Sequence, residues 1–510
     1  MNSTPEDFEK INCASQLADC SSKSSLSDED REQEEHVLKY DAERIVVLNE
    51  DAANQSPVLN PLPSSNASWV SKILSSSSSM LGNASPSSSS QATTSSENTG
   101  KQQKKKWMTR LLSTWNNIKY SSTWMPDRSA DYCENDVVVF LARRYSTIRD
   151  ANGFSAGFEE FCSDYYSRIW ITYRTGFAPL LNTDVTTDCG WGCMLRTTQM
   201  MMAHCIMLNK FGRDWRFVRW KNSYLTVHGD QTSFDRAKMQ EWAILKLFED
   251  EPLAPLGIHR MIEIASIDKR EKAVRSWYSP SEAVFIMKRA ISESSSPLTA
   301  DIAMYLSTDG RVHIRDIEVE TKNWMKTLVL VIIVRLGTTQ LNPIYLRHLM
   351  RLFSMESCLG VTGGRPNHST WFVGFSGNQI IYLDPHVVHE YIPIDLKFNA
   401  DMSERSKTQK KCPERSYHCR LLSKMNFLDM DPSCALCFRF ESREQFDRDM
   451  LQLNLNQCID IDQGEENGMK RVRDPIFCVE YGERRQAPSY HENFSEVERD
   501  QANKQGFEML

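Results

Sequence analysis

The feature that most constrains the fold of this chain is a pair of glycines placed directly before a long apolar segment. Gly190 and Gly192 break the chain, and the segment from Met194 to Leu208 then has the composition of a buried helix. This pattern predicts that Cys193 lies at or near the N-terminus of that helix. The helix dipole and the free backbone N–H groups there favour a thiolate, and the same groups can hold an oxyanion. Cys193 is therefore a candidate nucleophile, although a cysteine in an apolar helix is usually a core residue.

A nucleophilic thiol needs a base, and the base needs a group that orients it. The segment Ile380-Ile-Tyr-Leu-Asp-Pro-His386 supplies both, because a predicted strand delivers Asp384 and the proline fixes the turn that leads to His386. His368, which precedes another predicted strand, is an alternative base. Cys189 is an alternative nucleophile, but it lies before the helical pattern begins. A simple Asp-Pro turn is the competing interpretation of the second segment.

The order of the predicted elements indicates the fold class. Helices are predicted at 194–208 and 282–290, and a helix or a helix followed by a turn is predicted at 159–173. Strands are predicted at 136–141, 328–334, 371–374 and 380–383. The strand at 328–334 is a near-continuous β-branched run, which is typical of a strand covered on both faces. Since most of the strands follow the helices, the sequence predicts an α+β fold.

The chain divides into tails and one globular segment. Residues 1–103 are rich in serine, which predicts disorder because apolar burial cannot offset the ordering entropy. Residues 104–129 hold an amphipathic helix and a linker; we expect the helix to dock on the globular segment, with a membrane-surface helix as the alternative. The globular segment spans 130–453 and includes a polar surface loop at 396–416. Residues 454–510 are predicted to form an acidic, mostly disordered tail.

Composition argues against several function classes. The formal net charge is −7, and nucleic-acid binding requires concentrated Lys and Arg instead. No stretch approaches the roughly 20 apolar residues that cross a bilayer, and the acidic N-terminus is unlike a secretory signal or a transit peptide. We therefore expect a cytoplasmic protein whose cysteines are mostly buried thiols.

Four cysteines form a candidate zinc set: Cys412, Cys419, Cys434 and Cys437. The last two make a C-x-x-C pair, as many zinc sites do. The spacing of the first pair is not that of a zinc knuckle, however, and the second pair lies in an apolar run. We expect core thiols, no bound metal and no cofactor.

Several segments together resemble the autophagins, the cysteine proteases that process the ubiquitin-like modifiers of autophagy. The two most specific are Gly190-Trp-Gly-Cys-Met-Leu-Arg196 and Tyr382-Leu-Asp-Pro-His386. The other matching segments are Phe161-Cys-Ser-Asp-Tyr-Tyr-Ser-Arg-Ile-Trp-Ile-Thr-Tyr-Arg174, Trp277-Tyr-Ser-Pro280, Arg335-Leu-Gly337, Leu341-Asn-Pro343, Leu359-Gly-Val-Thr-Gly-Gly-Arg-Pro-Asn367 and Asp431-Pro-Ser433. In order and spacing the resemblance covers most of residues 130–450, and the long Ser-rich N-terminus looks like that of the longer animal subtypes.

The resemblance implies a papain-like cysteine protease fold with a small family-specific extra subdomain. It implies that Cys193 is the nucleophile, Asp384 the orienting group and His386 the acid and base. It also implies that the Tyr173 hydroxyl joins the Cys193 amide in the oxyanion hole, and that Trp277 lies over the substrate cleft.

The resemblance further implies a gating loop from Cys358 to Gly364, whose glycines suit a hinge. The residues assigned to this loop are Leu359, Gly360, Gly363 and Gly364. The implied reaction is cleavage of autophagy ubiquitin-like modifiers of the GABARAP type after their C-terminal glycine. This reaction would mature the precursor and release the modifier from phosphatidylethanolamine. The resemblance also implies a monomer that makes peripheral membrane contact.

The two tails carry short candidate binding motifs. Phe507 and Leu510 have the spacing of motifs that add a strand to autophagy modifiers and fill two apolar pockets, and Phe8 and Ile11 have the same spacing. Two other functions stay open. One is an autoinhibited or weakly active scaffold that binds the modifier, and the other is a protease for a different ubiquitin-like protein.

Overall fold

The computed structural model describes residues 132, 137–216, 231–269, 273–366, 368–394, 416–462 and 472–481. Several sequence-based predictions lie outside these residues: the disordered tail 1–103, the amphipathic helix of 104–129, all but the last residue of the loop 396–416, Cys412, and both tail motifs with Phe8, Ile11, Phe507 and Leu510.

The helices and strands alternate irregularly along the described chain. The α-helices are α1 (Ala156–Tyr166), α2 (Cys193–Phe211), α3 (Gln231–Leu247), α4 (Ile258–Lys269), α5 (Pro280–Glu293), α6 (Ile314–Glu320), α7 (Leu346–Phe353) and α8 (Arg443–Leu455). The strands are β1 (Val137–Phe140), β2 (Arg143–Ser146), β3 (Tyr173–Thr175), β4 (Ile302–Ser307), β5 (Arg311–His313), β6 (Thr327–Arg335), β7 (Cys358–Arg365), β8 (His368–Ser376), β9 (Gln379–Leu383), β10 (Val388–Glu390), β11 (Ser423–Asn426), β12 (Ser433–Phe440), β13 (Asp460–Asp462) and β14 (Cys478–Glu480). Short 3₁₀ helices lie at Pro343–Tyr345 and Phe427–Asp429.

A large mixed sheet forms the frame of the domain. Its strand order is β11-β9-β8-β7-β12-β6-β4, and β1, paired with β2, adds to it at β8. β4 and β6 run parallel, whereas the other neighbours are antiparallel. β6 is buried along nearly its whole length, which confirms the predicted strand with two covered faces. Two small parallel sheets accompany it, one of β3 and β10 and one of β5, β14 and β13.

The predicted fold class is confirmed, because helices α1 to α5 precede most of the strands of the large sheet. The helix predicted at 282–290 is α5. Ser279 and Glu282 form a reciprocal capping box at its start, and Pro280 takes the first helical position. The predicted strands at 371–374 and 380–383 are β8 and β9, joined by a tight turn.

Helix α2 lies inside the domain rather than on its surface. Every residue from Cys193 to Met207 is buried, and the helix packs against β7 and β8. A helix that is apolar on all sides is expected to be buried in this way, so the helix predicted at 194–208 is confirmed. Among the described residues no helix combines the length and the apolar character needed to cross a membrane.

The prediction that the ordered domain ends at residue 453 is wrong. Helix α8 continues to Leu455, and β13 and β14 then join β5 in a parallel sheet. Ile459, Phe477 and Val479 are almost fully buried there. These strands are only three residues long and lie in a polar stretch. Their few apolar side chains therefore do not produce a strand pattern that can be detected in the sequence. The partner strand of β14 in this sheet lies 167 residues earlier, at 311–313.

The prediction of a gating loop from Cys358 to Gly364 is also wrong in its secondary structure. The segment is strand β7, which pairs with β8 on one side and β12 on the other. Gly360 serves close packing, because a Cβ atom there would lie 2.4 Å from the Phe372 carbonyl oxygen and 2.6 Å from Trp371 Nε1. Its φ of +92° also lies in the region that favours glycine. Glycine in this segment therefore marks a crowded strand and not a hinge.

Candidate active site

Cys193 is the first residue of α2. The helix begins after Gly192, which has no side chain to accept a hydrogen bond from the first helical N–H groups. Space requires a glycine here, because a Cβ atom at position 192 would lie 2.5 Å from Asp188 Oδ2. The thiol therefore lies at the positive end of the helix dipole, close to the N–H groups that open the helix.

A buried ion-pair network fixes the turn before Cys193. Asp188 Oδ1 accepts a hydrogen bond from the Arg174 amide, and Asp188 Oδ2 accepts one from Arg196 Nε, both at 2.7 Å. Arg196 also donates to Asp250 at 2.7 Å, and the side chains of this ion-pair chain are almost fully buried. Removing one partner from a buried ion pair costs about 3–5 kcal/mol, so the network strongly constrains the turn.

No motif in the sequence points directly to this network. The signal that could have revealed it is Arg196 itself. An arginine at a buried position of a largely apolar helix requires a buried acidic partner. Asp188, eight residues earlier, was the nearest acidic residue on the N-terminal side.

Asp384 and His386 follow the end of β9 and lie against each other. His386 Nδ1 is 2.6 Å from Asp384 Oδ1, and the same oxygen accepts the His386 amide at 2.9 Å. The Asp384 carbonyl oxygen accepts a hydrogen bond from Trp170 Nε1 at 2.6 Å, which anchors the turn. The His386 side chain is 3% exposed. His386 is therefore almost shielded from solvent, whereas the Asp384 side chain is 21% exposed.

The side chains of Cys193, His386 and Asp384 lie together, and the pKa of each is shifted by its neighbours. Burial alone would raise the pKa of Cys193, but hydrogen bonds from His386 and Ser369 lower it to about 7. Burial alone would lower the pKa of His386, but Asp384 and Cys193 raise it to about 9. Burial would raise the pKa of Asp384, and its hydrogen bonds to two histidines hold it far below the ordinary value. At pH 8 the arrangement favours a thiolate beside an imidazolium.

These pKa shifts predict the pH dependence of Cys193 reactivity. Iodoacetamide reacts with thiolates, so its rate with Cys193 should be half-maximal near pH 7 and not near 9, the ordinary thiol value. In His386→Ala the half-maximal pH should rise, because burial alone raises the pKa of this thiol. The measurement is mass spectrometry of the peptide that contains Cys193, across pH 5–10.

Four other buried cysteines provide the internal control for this experiment. Burial raises the pKa of each to about 12, so they should stay unmodified at pH 7: Cys205, Cys358, Cys419 and Cys437. A half-maximal rate for Cys193 at or above pH 9 would contradict the proposed thiolate–imidazolium pair.

Tyr173 lies beside the pair formed by Cys193 and His386. It opens β3, which pairs in parallel with β10, and its amide donates to the Pro385 carbonyl oxygen at 3.1 Å. Its ring stands edge-on to the His386 ring, with centroids 5.3 Å apart. Tyr173, Cys189 and Cys193 belong to one small buried cluster. The structure therefore gathers these side chains, while the oxyanion role of Tyr173 stays a prediction.

The first two residues of β8, His368 and Ser369, both contact this site. His368 Nε2 is 2.9 Å from Asp384 Oδ2, and the His368 ring stacks on the His386 ring at a centroid distance of 3.6 Å. The hydroxyl and backbone of Ser369 hydrogen-bond the Cys193 thiol. The thiol is thus contacted by His386 and Ser369, which favours His386 over His368 as the base.

Trp277 is 52% exposed and lies just before α5. So large an exposed aromatic surface suits a binding role, and its place over the substrate cleft stays a prediction.

Within the described residues, His368, Asp384 and His386 are the group of side chains that could together hold a metal ion. Both histidines, however, already hydrogen-bond the Asp384 carboxylate, one to each oxygen. Cys434 and Cys437 are three residues apart on β12, so they point to opposite faces of the sheet. This geometry agrees with core thiols rather than with a zinc site.

Comparisons with known proteins agree with the geometry. A family model described as the Peptidase C54 catalytic domain matches residues 158–452. The cysteine protease atg-4.2 of Caenorhabditis elegans is 66% identical over 522 residues, with 100% of each chain covered. The cysteine protease ATG4D of Xenopus laevis is 32% identical over 425 residues, covering 76% of this chain and 83% of that protein. The cysteine protease ATG4C of Homo sapiens is 28% identical over 407 residues, covering 67% and 84%.

Proposed function

Because this chain belongs to the Peptidase C54 family of autophagy-related cysteine proteases, the autophagins, we propose that it cleaves autophagy ubiquitin-like modifiers after their C-terminal glycine. The observation that carries the proposal is a thiol at a helix N-terminus hydrogen-bonded to His386, which is in turn bonded to Asp384. In this proposal Cys193 is the nucleophile, His386 the acid and base, and Asp384 the group that orients His386.

The proposed reaction proceeds by acyl transfer. The Cys193 thiolate adds to the carbonyl carbon of the terminal glycine, and the oxyanion is held by the Cys193 amide and the Tyr173 hydroxyl. The His386 imidazolium then protonates the departing amine, the C–N bond breaks and a thioester forms. His386, now neutral, takes a proton from water, and the resulting hydroxide hydrolyses the thioester to a free carboxylate and the thiolate.

The same steps serve two substrates, because each presents an amide bond after a glycine. In a precursor the leaving amine is the next residue of the peptide, and in a lipidated modifier it is the amine of phosphatidylethanolamine. A flat aromatic side chain at Trp277 suits a thin substrate tail, and glycine lacks the Cβ atom that would widen it. The enzyme therefore selects glycine by shape.

The proposal also covers the binding partners of the enzyme and its cellular location. The modifiers are of the GABARAP type, both free and linked to phosphatidylethanolamine, and the enzyme acts as a cytoplasmic monomer with peripheral membrane contact. No cofactor takes part in the proposed steps. Phe507 and Leu510 supply an additional contact to the modifier.

The direct test presents the purified full-length protein with a GABARAP-type precursor that carries residues beyond its terminal glycine. We expect release of the extension, detected by mass spectrometry, and release of the same modifier from phosphatidylethanolamine in liposomes. The matched control is a precursor in which valine replaces the terminal glycine. Its cleavage should be slower by a factor of about 100 or more, because a branched Cβ clashes in a narrow cleft.

Equal cleavage of the glycine and valine precursors would contradict selection by shape. Retained binding of the modifier without cleavage would favour the scaffold function instead. Cleavage of ubiquitin fusions in preference to the autophagy modifier would place the protein's substrate in another class of ubiquitin-like proteins.

A further inference from the structure

Two histidines share one carboxylate in the active site. Asp384 Oδ1 accepts hydrogen bonds from His386 Nδ1 at 2.6 Å and from the His386 amide at 2.9 Å. Asp384 Oδ2 is 2.9 Å from His368 Nε2. An ionised carboxylate can only accept hydrogen bonds, so Nε2 of His368 carries the proton of this contact. Each oxygen of Asp384 therefore has its own imidazole donor.

The two imidazole rings are also in face-to-face contact. Their centroids are 3.6 Å apart and their planes differ by 11°. The His368 side chain is 26% exposed and that of His386 is 3% exposed, so His368 forms the more open layer of the stack. A ring packed on one face of His386 restricts the tilt of that imidazole and limits the access of water to that face.

The register of the hairpin formed by β8 and β9 explains this arrangement. Trp371 of β8 pairs with Leu383 of β9. If the same register is continued by three residues, towards the start of β8 and beyond the end of β9, position 368 lies opposite position 386. A bulge between Phe372 and Gly374 sets this register. The register of the hairpin therefore brings positions 368 and 386 near each other.

We propose that His368 is a positioning residue of the active site, which fixes the Asp384 carboxylate through Oδ2 and packs on His386, so that His386 stays aligned with Cys193. The inference rests on the proposed roles of Cys193, His386 and Asp384. It assigns to His368 no proton transfer with substrate, because the Cys193 thiol is contacted by His386 and Ser369.

Three variants separate the hydrogen bond from the stacking. His368→Ala removes both, His368→Gln keeps an N–H donor for Asp384 without a ring, and His368→Phe keeps a ring without a donor. For His368→Ala we expect kcat on a modifier precursor to fall about 10- to 100-fold with little change in KM, because a small misalignment of catalytic groups has this effect. We expect His368→Gln and His368→Phe each to recover part of the loss.

The second readout is the pH profile of Cys193 alkylation by iodoacetamide. It needs no modifier, so failure of the proposed substrate leaves this test intact. A misaligned His386 stabilises the thiolate less, so the half-maximal pH should rise in His368→Ala and return towards the wild-type value in His368→Gln. Thermal unfolding and circular dichroism of each variant report the folded fraction, to which rates are normalised.

Wild-type kcat and a wild-type alkylation profile in folded His368→Ala would overturn the proposal. A loss of kcat with an unchanged alkylation profile in all three variants would also overturn it, since it would place His368 in contact with substrate instead. If His368→Ala does not fold, the comparison of His368→Gln with His368→Phe decides by the same two readouts.

Discussion

Replacement of Cys193 by alanine is expected to abolish cleavage of a modifier precursor. Loss of a catalytic nucleophile lowers the rate by roughly 10⁴- to 10⁶-fold, which leaves only the contribution of the oxyanion hole and substrate binding. The side chain lost is small and buried, so the fold should persist and the variant should still bind the modifier. Release of the extension, followed over hours at high enzyme concentration, measures the residual rate.

Cys189→Ala is the matched control for this prediction. Cys189 is four residues earlier, is equally buried and belongs to the same cluster as Cys193 and Tyr173. It precedes the helix and so lacks the dipole and the opening N–H groups of α2. We expect its kcat to stay within a few-fold of the wild type. If Cys189→Ala is inactive and folded while Cys193→Ala is active, the assignment of the nucleophile is wrong.

Asp384→Asn is expected to lower kcat/KM by about 10²- to 10⁴-fold, by analogy with the orienting carboxylate of other triads. The carboxylate is a main cause of the raised pKa of His386. Without its charge that pKa falls, so the imidazolium beside the thiolate is lost at neutral pH. We therefore expect the half-maximal pH of Cys193 alkylation to rise in the same variant. Both quantities come from pH profiles between 5 and 10.

Asp309→Asn makes the same chemical change at an exposed turn before β5, where the carboxylate accepts a hydrogen bond from the Arg311 amide. Its kcat/KM should match the wild type. An Asp384→Asn variant that keeps both the wild-type rate and the wild-type pH profile would show that His386 is oriented by other contacts, such as its stacking with His368.

Much of the site could be predicted because its two halves are local in sequence. A glycine break before an apolar run is enough to start a buried helix at Cys193. A β-branched strand followed by Asp-Pro is enough to put His386 two residues beyond a strand end. Each inference uses interactions between residues that are neighbours along the chain. The large sheet then brings the two segments together.

The parts that could not be predicted depend on distant pairing. The stack of His368 on His386 follows from a one-residue bulge in the hairpin, and without that bulge position 368 would face position 387 instead. The glycines at 360–364 suggest a hinge from the sequence alone, because composition does not distinguish a flexible loop from a strand crowded by its neighbours. β13 and β14 are too short to be detected without their partner β5.

The place of β12 in the sheet has a consequence for the newly made chain. β12 spans Ser433–Phe440, yet it lies between β6 and β7, which precede it by about 100 and 70 residues. Until the ribosome has released β12, the half-sheet of β4 and β6 is not paired through backbone hydrogen bonds with the half-sheet of β7, β8 and β9. Helix α2, which carries Cys193, packs on β7 and β8, while α5 packs on β4. The large sheet therefore becomes continuous only once β12 has been made, after all the residues of the catalytic site.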